Sequence, residues 1–329
     1  MIVAPLKSNI KISIIILLLL SIVAWLCTFA FVNTSSLALN YKEHILYSYF
    51  FVNGFSFNIN QLITLGVILL GAFFVNFLAI EQEITAKTNY LPAFFYILFA
   101  FSASTKTNVE PILTANLFIL PSLYYFINSY RKDQALAEFY KAGLFMGLAT
   151  FFCIHYIVVF PLSFFSLIIL RPFNWREWSI LFIGLLTPLY VCVGLDYLIT
   201  NNAFTVFSMM KEATSSIQKP IVSEYYFAFI FIIIILFAFS IMRYLGKGFG
   251  GKVKTQNTKY ILLWMFFFCL LMVFFEQMSD MIFLPCIIPL SIIIADYLFE
   301  IKQLKIANTL LILFVVGFSI IYLHAMGII

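Results

Sequence analysis

Residues 243–259 read RYLGKGFGGKVKTQNTK and lie between two long apolar runs. They hold Arg243, Lys247, Lys252, Lys254 and Lys259, and no acid. Lys and Arg collect in the cytoplasmic loops of membrane proteins. This basic loop is therefore expected to face the cytoplasm, and its side sets the side of every other loop.

Composition agrees with a chain that lives in lipid. Of 329 residues, 64% are hydrophobic and 10% charged. A soluble domain is nearer about 45–50% apolar and about 25% charged. Apolar runs of about 20 residues recur, the length that crosses a hydrocarbon core of about 30 Å. Strands alternating polar and apolar residues, the mark of a membrane barrel, are missing. The expected fold class is all-α, a polytopic transmembrane helical bundle forming a single integral membrane domain over residues 1–329. The net charge of +5 implies no nucleic-acid partner, because the positive residues sit in short loops between apolar runs.

Spans are expected near 10–32, 61–80, 90–104, 110–129, 139–153, 155–170, 179–199, 225–243, 260–275, 281–299 and 306–324, about eleven in all. In the first, Lys7 and Lys11 precede the apolar run from Ile12 and no small-x-small cleavage site follows it, so it reads as an uncleaved helix. With the N-terminus inside and the C-terminus outside, the inner loops hold 15 of the 19 basic residues. The other four, Lys42, Lys106, Lys211 and Lys219, fall outside. The acids divide evenly, as expected if they contribute little to orientation.

Residues 139–170 constrain the layout most after the basic loop. As one straight helix they would run about 48 Å, too long for one crossing. One crossing would also move residues 243–259 to the outer side. Two short helices meeting at His155 near the outer face satisfy both conditions. Half-helices of this kind are tolerated where protein or a water-filled cavity covers their ends. Gly143 and Gly147 read as a helix-packing pair. Pro121, Pro161, Pro188, Pro285 and Pro289 read as kinks or as the lining of a cavity. Trp175 and Trp178, around Arg176 and Glu177, read as an interfacial anchor. Two outer segments exceed simple turns. Residues 33–60 carry NYKEHILYSYFF, which suits a helix lying in the interface. Residues 200–224 are interrupted by Pro220.

The five cysteines, Cys27, Cys153, Cys192, Cys269 and Cys286, show no paired spacing and read as packing residues. His44, His155 and His324 lie far apart, so no metal site is expected from them. Asp296 and Glu300 are expected to pair with Lys302 and Lys305. No phosphate-binding loop or nucleophile elbow is present.

The candidate chemistry lies on the outer side, where ionisable groups at membrane depth are costly and often functional. Glu276 and Asp280 are four residues apart, so on a helix they share one face. The pair could bind a divalent cation, the one cofactor the sequence suggests, or activate a hydroxyl. A solvated turn is the plainer alternative. Glu43 could act as a general base toward an acceptor at the outer leaflet, or with His44 could anchor an amphipathic helix. Glu43, Glu276 and Asp280 are the catalytic candidates. His44, His155 and Asp196 are the substrate-binding candidates.

The long first outer loop with Glu43, the run NYLPAFFYILFAF with its short polar outer turn, and KAGLFMGLATFF opening the short helix pair resemble the C-type glycosyltransferase superfamily. The resemblance covers roughly residues 10–200. It implies a polytopic enzyme acting at the outer face on a polyprenyl-phosphate-linked sugar, with an acidic residue in the first outer loop as catalyst. The resemblance implies Glu43 for that position, and the sequence departs from the family pattern in that the first loop holds no aspartate and the usual paired acidic signature is missing. As a whole the chain also resembles an uncharacterised polytopic inner-membrane family of Bacteroidota, which implies a multi-pass protein of the bacterial inner membrane. Two other roles remain open at this point, a transporter or flippase and a noncatalytic subunit of an envelope assembly. Expected partners are membrane lipid, a polyprenyl-phosphate-linked sugar and other envelope membrane proteins.

Overall fold

The computed structural model describes residues 6, 10–31, 57–85, 89–103, 111–132, 134–200, 208, 253–273, 284–301 and 304–325. Among these residues the fold is entirely helical. In chain order the helices are α1 (Ile10–Phe31), α2 (Phe57–Glu81), α3 (Leu91–Ala103), α4 (Pro111–Asn128), α5 (Leu136–Phe152), a 3-10 turn (Ile154–Val159), α6 (Pro161–Leu170), α7 (Trp175–Thr200), α8 (Val253–Val273), α9 (Ile287–Glu300) and α10 (Leu304–Ala325). The expected segments fall on these elements except 225–243, which lies outside the described residues.

Three helices among the described residues are long and apolar enough to cross a membrane: Ile59–Glu81, Pro111–Asn128 and Trp175–Leu198. The rest of the expected crossings are not all of full length. Helix α3 has 13 residues and α9 has 14, about 20 Å each against a core of about 30 Å.

The core is built around α3. Every residue from Leu91 to Phe101 is buried, as a helix that is apolar all round requires. Helices α1, α2, α9 and α10 pack on it. Gly71 on α2 lies beneath the ring of Tyr96 on α3, and a Cβ there would collide with it. Phe95 meets Phe314 of α10 edge-on, with centroids 5.6 Å apart.

A second set of helices, α4, α5 and α7, packs side by side. Gly143 lies against the backbone of Leu181 and Leu185, and Gly147 against the Leu185 carbonyl and Pro188. Contact positions rise together along both chains, so α5 and α7 run parallel. Gly184 meets the Tyr140 carbonyl in return. These small residues let two backbones touch, the packing role expected of the Gly pair. Helix α4 runs antiparallel to α5, with Phe118 stacked on Phe152 and Phe126 beside Phe139.

Residues 139–170 break as the length argument requires. Helix α5 stops at Phe152, because Cys153 takes an extended conformation (φ −143°, ψ 107°). The 3-10 turn follows, and Pro161 opens the 10-residue α6. Pro121 and Pro188 do lie inside helices. Pro161 starts one instead, the position where a missing N–H costs nothing.

The surface is suited to lipid. Ile15, Leu19 and Val23 of α1, Leu62 and Leu70 of α2, and Ile183, Leu186 and Tyr190 of α7 are exposed. Asn76, Asn116, Ser122 and Ser163 are buried. The core is mainly apolar with these polar groups inside it, and an outward face this apolar is the reverse of what water selects.

Candidate functional site

Hydrogen bonds between elements gather at the two ends of the bundle. At the first, Gln82 Nε2 donates to Asn128 Oδ1 (3.3 Å) and Thr255 Oγ1 to the Gln82 carbonyl (3.5 Å). Asn257 Nδ2 donates to the Ile169 carbonyl (3.2 Å). Lys259 Nζ pairs with Asp296 Oδ2 at 3.0 Å. Arg171 forms an ion pair with Glu177 at 2.6 Å, and its other nitrogen donates to the Lys132 carbonyl. Lys132 in turn pairs with Glu138 at 2.6 Å. That hydrogen bond from Lys132 holds the Glu138 carboxyl below its ordinary range. Of the expected partners of Asp296, Lys302 lies outside the described residues; the ion pair described for Asp296 reaches α8, whose basic start lies against the end of α9.

The opposite end holds the candidate site. Asn116 is fully buried on α4. Its Nδ2 donates to the Leu284 carbonyl at 2.9 Å, and its Oδ1 accepts from the Tyr156 hydroxyl at 2.5 Å. Tyr156 is also fully buried. One amide thus joins three segments: α4, the 3-10 turn after α5, and the turn before α9. An unpaired amide or hydroxyl in an apolar interior costs several kcal/mol, so this pairing holds the three together.

His155 stands immediately before Tyr156. It is partly buried, and its Nδ1 lies 3.9 Å from Cys153 Sγ. Asp196 is buried near the end of α7. Since α7 runs parallel to α5, Asp196 belongs to the same end as His155. An imidazole and a carboxylate are the groups here that could accept a proton from a hydroxyl. Asn116 and Tyr156 hold the backbone on which His155 rides. Glu43, His44, Glu276 and Asp280 lie outside the described residues. His324 falls on α10. Cys153, Cys269 and Cys286 are buried thiols outside any disulfide among the described residues, consistent with packing. Among the described residues no group of His, Cys, Asp and Glu is of a size to hold a metal ion.

Sequence reasoning passes over Asn116, Tyr156 and Tyr96. Asn116 has a signal, an amide within the apolar run PILTANLFIL. Tyr96 has none, being one aromatic among many. Its hydroxyl is buried with no hydrogen-bond partner among the described residues.

Residues 38–329 match a family of unknown function, DUF6427. No curated protein matches the chain, and no solved structure does.

Proposed function

We infer the role of this chain, which belongs to the DUF6427 family of unknown function, from the different chemistry of the two ends of its bundle. The reading is a multi-pass protein of the bacterial inner membrane whose basic end faces the cytoplasm. The described helices alternate in direction between the two ends, except that α7 and α8 run the same way. The chain leaves α7 at one end at residue 200 and enters α8 at the other at 253, which supports a further crossing by residues 225–243. Short α3 is buried along its length, and α9 packs mainly on α3 and also on α2 and α8, the kind of protein cover under which sub-length helices persist in lipid.

At the outer end the reading is a glycosyltransferase-like reaction on a polyprenyl-phosphate-linked sugar. The observation that carries it is the Asn116 amide, which ties the turn beside His155 to Leu284. Leu284 follows Asp280 by four residues, so chain length alone keeps Asp280 within about 14 Å of it. Glu110 immediately precedes Pro111, the first residue of α4. Titratable groups that are far apart in sequence are thus drawn toward one end. In this reading Asp280, Glu276 and Glu43 supply the catalytic carboxylates, while His155, His44 and Asp196 hold the acceptor or donor. A divalent cation would suit the paired carboxylates.

The test is mass spectrometry of polyprenyl-linked sugars and envelope glycans in a deletion strain and its parent. The expected result is an accumulated donor and a missing sugar, restored by the native chain and not by a triple Glu43→Ala, Glu276→Ala, Asp280→Ala variant. An unchanged profile overturns the enzyme reading. It would favour a noncatalytic subunit of an envelope complex, a role supported by α7, whose outward face is apolar and aromatic through Tyr190 and Tyr197.

A further inference from the structure

Arg171 is a strut between two turns at the basic end. It reaches Glu177 on its own side and the Lys132 carbonyl across the gap. The α4–α5 turn and the α6–α7 turn are thereby held side by side. The first presents Arg131 and Lys132, the second Phe173, Trp175 and Arg176, all exposed.

The acids in this region are already used. Glu138 is paired with Lys132, and Glu177 is buried against Arg171. Asp133 lies outside the described residues. Arg131 and Arg176 form no ion pair among the described residues. The Arg131 guanidinium lies over the Tyr130 ring at 5.3 Å, and Lys141 over Tyr125 at 5.2 Å. The aromatic residues beside these cations are not covered: Phe173 is 77% and Trp175 71% exposed.

The backbone at Arg131 also shapes this turn. Its φ is +58°, the left-handed region where glycine is the usual choice at a helix end.

We propose that this pair of turns is a binding site for an anionic phospholipid headgroup. The Arg131 and Arg176 guanidiniums would take the headgroup phosphate, and Phe173 and Trp175 would lie among the upper acyl chains. Guanidinium suits phosphate through its forked donors. Exposed Trp and Phe beside cations suit the membrane–water interface, where one side is apolar and the other wet. The rings argue for a lipid over free phosphate, which would leave them uncovered. The inference rests on this end lying at a membrane surface and is independent of the enzyme reading.

The test uses the purified full-length chain in detergent, offered equal amounts of phosphatidylglycerol and phosphatidylcholine, with retained lipid counted by native mass spectrometry. The native chain should retain phosphatidylglycerol in preference. An Arg131→Gln, Arg176→Gln variant should lose most of that preference, roughly fivefold per guanidinium. Lys305→Gln, an exposed change on α10, should leave it within about twofold. Millimolar glycerophosphate should not displace the lipid. Equal retention of the two lipids by the native chain overturns the proposal, as does an unchanged preference in the double variant or displacement by glycerophosphate. Recovery of the chain from cells without membranes would overturn it together with the membrane reading itself. The sugar-lipid profile of a deletion strain bears on neither result.

Discussion

Lys259 Nζ lies 3.0 Å from Asp296 Oδ2, joining the first part of α8 to the later part of α9. The lysine side chain keeps 24% of its exposure and the aspartate 8%. Asp296 is therefore the partner for which loss of this contact costs more. Lys259→Met should destabilise the chain by about 1–3 kcal/mol, through the buried carboxylate it leaves without this ammonium. A double-mutant cycle with Asp296→Asn should show coupling of about 1 kcal/mol in detergent melting. Zero coupling would mean that the pair forms without contributing.

The glycines should divide by what surrounds them. A Cβ added at Gly66 would meet nothing within 4 Å, whereas one at Gly147 would lie 2.6 Å from the Leu185 carbonyl. Gly66→Ala should stabilise α2 by about 0.5–1 kcal/mol through backbone entropy. Gly147→Ala should cost about 1–3 kcal/mol, because two backbones must separate. Melting temperatures of the two variants moving in the same direction would contradict the close approach of α5 and α7.

Asn116 should behave as a junction. Tyr156→Phe removes one hydrogen bond and leaves the amide oxygen unpaired, a cost of about 1–3 kcal/mol. Asn116→Ala removes both the acceptor of the Tyr156 hydroxyl and one of the two donors to the Leu284 carbonyl, which keeps the Ile287 N–H, and should cost more. Adding Tyr156→Phe to Asn116→Ala should then cost little, since the partner is already gone. Strictly additive losses would show that the two groups do not depend on each other.

Orientation follows from the basic loop. Reporter fusions after Gly251 should read cytoplasmic, and fusions near Ser215 should read outside. The structure adds a matching pair of sites: fusions within residues 171–174 should agree with Gly251, and those beside His155 with Ser215. Disagreement within either pair would break the alternation of the helices.

How far the chain can be read in advance depends on the range of the interaction. The break within 139–170 is legible because a helix rises about 1.5 Å per residue, and 32 residues cannot cross a thin core once. The Gly143 and Gly147 contact is legible as a packing motif, although its partner α7 is not. A linear reading offers Asp296 only neighbouring lysines, because proximity in sequence is all it supplies, whereas the ion pair seen among the described residues reaches Lys259, 37 positions away. Asn116 and Leu284 are 168 positions apart, and nothing local marks them as a pair.

The sequence by itself determined that the chain is helical and apolar, where its helices lie, and which loops carry the positive charge. Those properties are set locally, by the length of apolar runs and by the aversion of Lys and Arg to lipid. Only the tertiary structure decided that α3 is the buried centre, that α5 and α7 touch through glycine, and that Asn116 gathers three segments beside His155. In an apolar interior each buried polar group must find its partner wherever the packing puts one, and that partner is chosen by distance in space.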